Sequence, residues 1–417
     1  MSISRREFIK GSLSVAAAAG LPFSLGRPAF AALAERKDRP WEAGYRNLFQ
    51  GERTVRSINM PNCTGSCAWN VIIKDGIVKR VEQPLDYPDD EYNPRGCMKG
   101  ATYHRRVYSP NRVKFPMKRV GPRGAGQWKR ISWDEALDFI ASEIKRIAAK
   151  YGQNTIWIYP PVPATGIAKQ GAGFRFASVN GFGIGTFYNW YGDLPLAHPI
   201  TWNVQTEEHE FKDVLNTKYA IIWGSDVAQT RMPDAHFFTD VRAKGVKLVY
   251  IAPYYDPTAS IVDEWVRVRP GTDGALALGF CHVVVKRGLT DEAHMRRTTS
   301  GPLLVRNDNG KYLKAADLAA DGDAKAFMAY DSQEGKAVPD AYFSDKLALT
   351  GTWDITLKDG KKVSCSTAHT LLLKKLEDYD PKTVSEITGV PAKDIERIAV
   401  EYASAKPASI WAGTGIN

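Results

Sequence analysis

Tyr219-Ala220-Ile221-Ile222-Trp223-Gly224-Ser225-Asp226 decides the fold class. Five apolar residues in unbroken succession leave neither side of a strand for water. The run therefore reads as a strand buried on both faces, closed by a turn of small residues. Downstream, further strands are predicted at Lys247–Ile251, Glu264–Val268 and Ser409–Ala412, and helices at Asp234–Ala243, Gly274–Lys286 and Ala392–Ala403. This alternation predicts an α/β fold built on a doubly wound parallel sheet. Upstream, Ser132 and Glu135 suit a capping box. Leu137, Ile140, Ile144, Ile147 and Ala148 then recur at helical spacing, Gly152 stops the helix, and a strand is predicted at Thr155–Tyr159. The stretch from Pro302 to Lys362 is polar and irregular and predicts a surface insertion. No internal repeat is present.

The chain has 417 residues, 44% of them hydrophobic, enough for more than one domain. Its net charge is +10 with 24% charged residues. The Lys and Arg are scattered among acids rather than massed into runs, which argues against a nucleic-acid partner. A positive potential instead suits anions, either cofactor phosphates or an oxyanion substrate. The absence of a G-x-G-x-x-G fingerprint weighs against NAD.

Ser4-Arg5-Arg6-Glu7-Phe8-Ile9-Lys10, an apolar stretch from Leu13 to about Leu25, and Ala29-Phe30-Ala31 follow one another. This order reads as a twin-arginine signal peptide over residues 1–31. That route exports folded proteins, so it suits a chain loaded with cofactor in the cytoplasm. The mature protein is expected to be periplasmic, held at a membrane only through partners. The last residues, Trp411-Ala412-Gly413-Thr414-Gly415-Ile416-Asn417, read as a strand entering a Gly-rich turn, and the sequence is expected to be incomplete there.

Five cysteines are present, three of them spaced Cys63-x3-Cys67-x29-Cys97. They fall in residues 53–117, a segment of short strands, Gly and Pro that includes a hairpin over residues 71–81 with Asp75-Gly76 as its turn. A domain this small is expected to need a staple, either an iron–sulfur cluster or a structural zinc. Cys281 and Cys365 stand alone and read as ordinary core or surface thiols.

Asn62-Cys63-Thr64-Gly65-Ser66-Cys67 and Pro94-Arg95-Gly96-Cys97-Met98-Lys99-Gly100 resemble the N-terminal domain of the dimethyl sulfoxide reductase family of molybdenum enzymes. The resemblance covers almost all of residues 53–300. It implies one [4Fe-4S] cluster on Cys63, Cys67 and Cys97. The family's fourth ligand, Cys or His, falls here at Asn59, whose carboxamide is a poor iron ligand, so this sequence departs from the pattern. Lys99 matches a basic residue that lies between cluster and pterin.

Phe187-Tyr188-Asn189-Trp190-Tyr191-Gly192-Asp193-Leu194-Pro195-Leu196-Ala197-His198-Pro199 resembles the active-site loop of the type II branch. That branch includes respiratory nitrate, selenate and chlorate reductases, dimethyl sulfide dehydrogenase and ethylbenzene dehydrogenase. The resemblance makes Asp193 the metal ligand, a hard oxygen donor apt for a high-valent metal. His198 is implied either to move protons or to pack. Three further segments resemble the loops around one molybdopterin guanine dinucleotide: Trp223-Gly224-Ser225-Asp226, the strand end at Pro253, and Gly271-Thr272-Asp273. Asp273 would accept hydrogen bonds from guanine, with Gly271 and Thr272 near ribose and phosphates.

The resemblance thus implies an iron–sulfur domain at 53–117, Rossmann-like pterin-binding domains over 118–417, and a molybdenum bis(molybdopterin guanine dinucleotide) centre. The implied activity is oxygen-atom transfer that reduces an oxyanion or S-oxide such as nitrate, chlorate, selenate or dimethyl sulfoxide. The other direction, oxidation of a hydrocarbon or dimethyl sulfide, stays open. So do a non-catalytic iron–sulfur electron-transfer subunit and a zinc-stapled binding protein. Implied partners are an iron–sulfur subunit, a haem or membrane-anchor subunit, the export machinery and a maturation chaperone.

Overall fold

The computed structural model describes residues 41, 50–59, 67–84, 86, 96–159, 167–185, 201, 211–340, 344–413 and 416. The signal segment 1–31, Cys63, Asp193 and His198 lie outside the described residues. The chain divides into two compact units, one comprising residues up to Arg56 with Asn70–Glu82, the other Ser57–Trp69 with Gln83–Asn417.

A three-stranded sheet runs in the order Arg53–Asn59, Cys67–Lys74, Ile77–Glu82. The expected hairpin is present, with Lys74 paired to Ile77. Asp75 and Gly76 both take positive φ, 54° and 68°. A two-residue turn needs that pair of conformations to match the twist of its strands.

The second unit is organised around four parallel strands in the order Glu264–Arg267, Lys247–Ala252, Tyr219–Trp223, Ser409–Ala412. Side chains alternate across each strand, so both faces must be covered. Tyr219, Ile221 and Trp223 pack with Val249 and Ile251 against Leu276, Ile395 and Ile398. These last three come from the helices Asp273–Lys286 and Ala392–Ser404. Ala220, Ile222, Leu248 and Tyr250 pack the other way, against Phe211 and against Phe237, Phe238 and Val241 of the Met232–Ala243 helix. Each fully buried Leu, Ile or Phe here is worth about 1.5–3 kcal/mol relative to exposure. The predicted strands and helices of this unit match within two residues at each end.

The starts of these strands carry a charged clamp. Lys247 Nζ lies 2.8 Å from Glu401 and 3.3 Å from Glu264. Arg397 Nη1 donates to Glu264 at 3.0 Å, and the Tyr219 hydroxyl donates to Glu401 at 3.0 Å. Burial and these carboxylates push the Tyr219 phenol well above its ordinary range. The clamp fastens the Ala392–Ser404 helix to the sheet and leaves the opposite, C-terminal ends of the strands for other use.

Three expectations need correction. The Trp133–Tyr151 helix forms, capped by Ser132 Oγ accepting from the Glu135 N–H at 3.0 Å and ended at Gly152 with φ 93°. Only that half of the capping box is made. Two residues of its apolar stripe, Leu137 and Ile140, are 58% and 52% exposed among the described residues. The strand predicted at 155–159 shrinks to Trp157–Ile158, because Gln153–Thr155 first winds into a 3-10 turn; it pairs in parallel with Gly183–Ile184.

The third correction concerns 302–362, which is not irregular. It holds the antiparallel sheet Leu304–Arg306, Lys362–Thr367, Thr352–Thr356 and the hairpin of Met328–Asp331 with Lys336–Pro339. Leu304, Leu313, Met328, Ile355, Val363 and Cys365 make a separate small core. Cys365 is fully buried and is a core thiol, as one of the two readings had it.

Beside this core His369 is 7% exposed, and its Nδ1 has no partner among the described residues. Burial holds its pKa below the ordinary 6.5, with Glu292 opposing in part. Above pH 6.5 both folded and unfolded forms are neutral. As pH falls through 6.5 the unfolded chain takes the proton first, so stability is lost on the acid side. His369→Leu is therefore expected to gain on wild type in melting temperature as pH drops from 7 to 5. A parallel pH dependence for the two proteins would show that His369 is not the group. Among the described residues no helix is long and apolar enough to cross a membrane.

Candidate cofactor site

The cluster segment is built on a strand and a short helix. Cys67 opens the Cys67–Lys74 strand and is buried. Cys97 precedes the Met98–Thr102 helix, half-buried, with its carbonyl accepting from Ala101 N–H at 3.0 Å. Gln83 Oε1 receives the Gly96 N–H at 2.7 Å and holds the approach to Cys97. The indole of Trp69, two residues beyond Cys67, packs against the glycines on either side of Cys97. A Cβ at Gly96 would fall 2.2 Å from the ring and one at Gly100 2.7 Å from it. One buried indole thus bridges the segments that carry two of the three cysteines. Asn59 ends the Arg53–Asn59 strand. Lys99 is exposed, and its Nζ lies 3.5 Å from the Gln229 carbonyl, so it reaches the short Val227–Thr230 helix that follows the Tyr219–Trp223 strand.

The three loops singled out from sequence all leave the C-terminal ends of adjacent parallel strands, which sets them side by side. After Trp223, Gly224 turns at φ 62° and donates to Ile251 O at 3.0 Å. Ser225 O accepts from Val227 N–H, starting the short turn in which Asp226 O takes up Thr230. Asp226 Oδ1 receives the Thr258 hydroxyl at 2.7 Å. Thr258 is itself fixed by Asp256, which accepts its N–H at 2.9 Å and also the Tyr250 hydroxyl. Pro253 follows the Lys247–Ala252 strand directly, half-buried. Gly271 turns at φ 76° with nothing within 4 Å of its Cβ position, so that side of it is open.

Thr272 does not cap the next helix; its hydroxyl donates back to Arg269 O at 2.6 Å. Asp273, the first residue of that helix, sits where the helix dipole favours a carboxylate. Its Oδ1 accepts the Trp223 indole N–H at 2.8 Å, which leaves Oδ2 as the other acceptor. Two predicted site residues on separate loops are therefore joined by one hydrogen bond.

Strand order adds what sequence could not. Going outward from Tyr219–Trp223, the chain proceeds to one side through Lys247–Ala252 and Glu264–Arg267, and Ser409–Ala412 lies on the other side. The reversal falls between Tyr219–Trp223 and Ser409–Ala412. Crevices at such reversals are where open α/β sheets bind ligands. Gly413, just past the Ser409 strand, donates to Trp223 O at 2.9 Å, and its Cβ position lies 2.5 Å from Ser225 Cβ. Gly413, Thr258 and Asp256 were not picked out from sequence. Asp256-Pro257 carries a readable helix-start signal, Asp before Pro, whereas the closeness of Gly413 to Ser225 leaves no local trace.

Fold and site together define an α/β protein whose candidate ligand loops leave the C-terminal ends of adjacent parallel strands, with a cysteine-bearing segment upstream. Residues 112–412 match the profile described as molybdopterin oxidoreductase, residues 53–109 the molybdopterin oxidoreductase Fe4S4 domain, and residues 2–22 a twin-arginine translocation signal. The chain belongs to the molybdopterin oxidoreductase family. It is 38% identical to the perchlorate reductase subunit alpha of Dechloromonas aromatica over 90% of this chain and 44% of that one. It is 37% identical to the respiratory nitrate reductase subunit alpha of Haloferax mediterranei over 100% and 46%. With the dimethylsulfide dehydrogenase subunit alpha of Rhodovulum sulfidophilum the identity is 33% over 99% and 47%. The chain thus spans less than half the length of these relatives. Among solved structures, acetylene hydratase from Pelobacter acetylenicus shares the fold at a TM-score of 0.57, with 21% identity over 87% of this chain and 40% of that one.

A molybdopterin cofactor and a [4Fe-4S] cluster go with these family matches. The residues present fit both groups. Gly271, with positive φ and open space at its Cβ position after a strand end, lets backbone N–H groups approach phosphates. Beside Cys97, the buried indole N–H of Trp69 stands without a hydrogen-bond partner among the described residues.

Proposed function

We propose that the chain is the N-terminal part of the catalytic subunit of an exported type II molybdenum oxidoreductase. It would transfer oxygen atoms and reduce an oxyanion or S-oxide. The observation that carries this proposal is the Tyr188–Pro199 segment with Asp193, set inside the molybdopterin oxidoreductase match at 112–412. When bound, the molybdenum centre supplies a two-electron couple for oxygen-atom transfer. The chain's residues do the rest. Asp193 would hold the metal through its carboxylate, and His198, in the same segment, would serve as a proton carrier. The parallel sheet belongs to a doubly wound, Rossmann-like pterin-binding domain, with residues 118–417 as the pterin region. Trp223 holds Asp273 ready for guanine, while Gly224, Ser225, Asp226, Pro253, Gly271 and Thr272 border the dinucleotide. Cys63, Cys67 and Cys97 in the 53–117 domain bind the cluster, with Asn59 at the departing fourth position. Lys99 would place a positive charge between a bound cluster and a bound pterin.

A second reading, oxidation of a small sulfide, is favoured by the similarity to dimethylsulfide dehydrogenase subunit alpha. An iron–sulfur electron-transfer subunit and a haem or membrane-anchor subunit complete either assembly. Export through the twin-arginine machinery, after loading by a maturation chaperone, places it in the periplasm.

The test uses the full-length, matured protein. Molybdenum together with iron for one four-iron cluster is expected, along with oxidation of reduced methyl viologen by nitrate, perchlorate or selenate. Iron without molybdenum would establish an electron-transfer subunit instead. Dye reduction by dimethyl sulfide, with no oxyanion activity, would reverse the direction.

A further inference from the structure

Trp69 is 4% exposed, yet its indole Nε1 has no hydrogen-bond partner among the described residues. Leaving a buried donor unpaired costs about 1–3 kcal/mol, so such an orphan needs an acceptor. Its surroundings say which one. Cys67 and Trp69 are two apart on a strand, so their side chains leave the same face. The far edge of the ring meets Gly96, and the ring's nitrogen edge meets Gly100, where Nε1 lies 3.2 Å from the Cβ position. Cys97 is between those two glycines. The N–H is thus buried between the segments that carry Cys67 and Cys97, where Gly96 and Gly100 leave the space that the indole itself fills.

We propose that the Trp69 indole N–H donates to a sulfur of the iron–sulfur cluster, either a cysteine thiolate or an inorganic sulfide, and thereby tunes its potential. The inference rests on the assignment of Cys63, Cys67 and Cys97 as cluster ligands. Reduction adds one negative charge to the cluster, and a donor to its sulfur stabilises that charge. Hydrogen bonds to cluster sulfurs are one of the levers that set such potentials. Trp69 is a positioning and tuning residue in this account, not a ligand.

The test is a dithionite titration of the holoprotein followed by paramagnetic resonance, for wild type and two variants. Trp69→Phe removes the N–H and some volume. Replacement by benzothienylalanine, a tryptophan analogue with sulfur in place of the N–H, removes the donor and keeps the shape. A full complement of cluster iron and a midpoint potential shifted negative in the analogue protein is the expected result. The wild-type signal should also show coupling to an exchangeable proton that the analogue lacks. Unchanged potential with intact cluster in the analogue overturns the proposal. If Trp69→Phe loses iron, the analogue decides the outcome by the same criterion. Cys67→Ala serves separately: retention of the cluster there would refute the ligand assignment rather than the role of Trp69.

Discussion

Asp193→Ala is expected to lower turnover at least about a thousandfold, equivalent to roughly 4 kcal/mol of transition-state stabilisation, while most of the molybdenum and pterin remain bound. The argument is one of division of labour. On the proposed assignment the pterin cofactor would be anchored by the loops at Gly224–Asp226, Pro253 and Gly271–Asp273, whose residues the substitution leaves unaltered. On the same assignment the carboxylate at 193 would contribute a hard oxygen donor to the metal. Alanine offers no donor, so the metal's remaining coordination changes while its pterin attachment does not. Steady-state assay with paired molybdenum and pterin analysis measures both quantities. Turnover equal to wild type would remove Asp193 from the metal. Loss of pterin in step with activity would show a folding role in its place.

Gly413→Ala is expected to destabilise the protein by about 1–3 kcal/mol, the usual range for overpacking a filled site, and to reduce pterin content. The added Cβ would lie 2.5 Å from Ser225 Cβ, 2.7 Å from Gly224 O and 2.9 Å from Ser225 Cα. Two of those three atoms are backbone, so no side-chain rotation relieves the clash. The Gly224–Ser225 turn or the end of the Ser409–Ala412 strand must move, and with it the crevice at the strand-order reversal. Gly171→Ala, in the Ile167–Asn180 helix with nothing within 4 Å of the new Cβ, is the control. There alanine is expected to be neutral or to stabilise by about 0.5–1 kcal/mol. Thermal melts and pterin analysis of both variants decide. Equal melting temperatures and equal pterin content for Gly413→Ala and wild type would show that the close approach does not matter.

The candidate site residues could be picked out because their signals are local. Cys63, Cys67 and Cys97 stand out in a chain with five cysteines, and the loops at 224–226, 253 and 271–273 each follow an apolar run. The hydrogen bond from Trp223 to Asp273 was not readable, although both residues had been singled out, because it joins positions fifty residues apart. Trp69 was passed over entirely. An aromatic in a strand reads as core, and only its unpaired nitrogen beside Gly100 distinguishes it.

The insertion at 302–362 shows the same limit from the other side. Its strands are short, three to six residues, and are separated by Gly, Asp and Asn turns, so neither period emerges. Only the convergence of Leu304, Met328, Ile355 and Cys365 into one core makes them strands. Likewise the stripe Leu137, Ile140, Ile144, Ile147 correctly announced a helix, but a periodic pattern records that a face is apolar, not what covers it.

By itself, then, the sequence determined the buried parallel strands, since unbroken runs such as 219–223 can satisfy water on neither face. It also determined the cysteine and aspartate motifs, whose chemistry lies in residue type and spacing. The tertiary structure alone decided the order of the strands, and with it the reversal between Tyr219–Trp223 and Ser409–Ala412 that brings Gly413 against Ser225. Which strand neighbours which is settled by the competition of whole surfaces for burial, a sum over residues nearly two hundred positions apart that no local window contains.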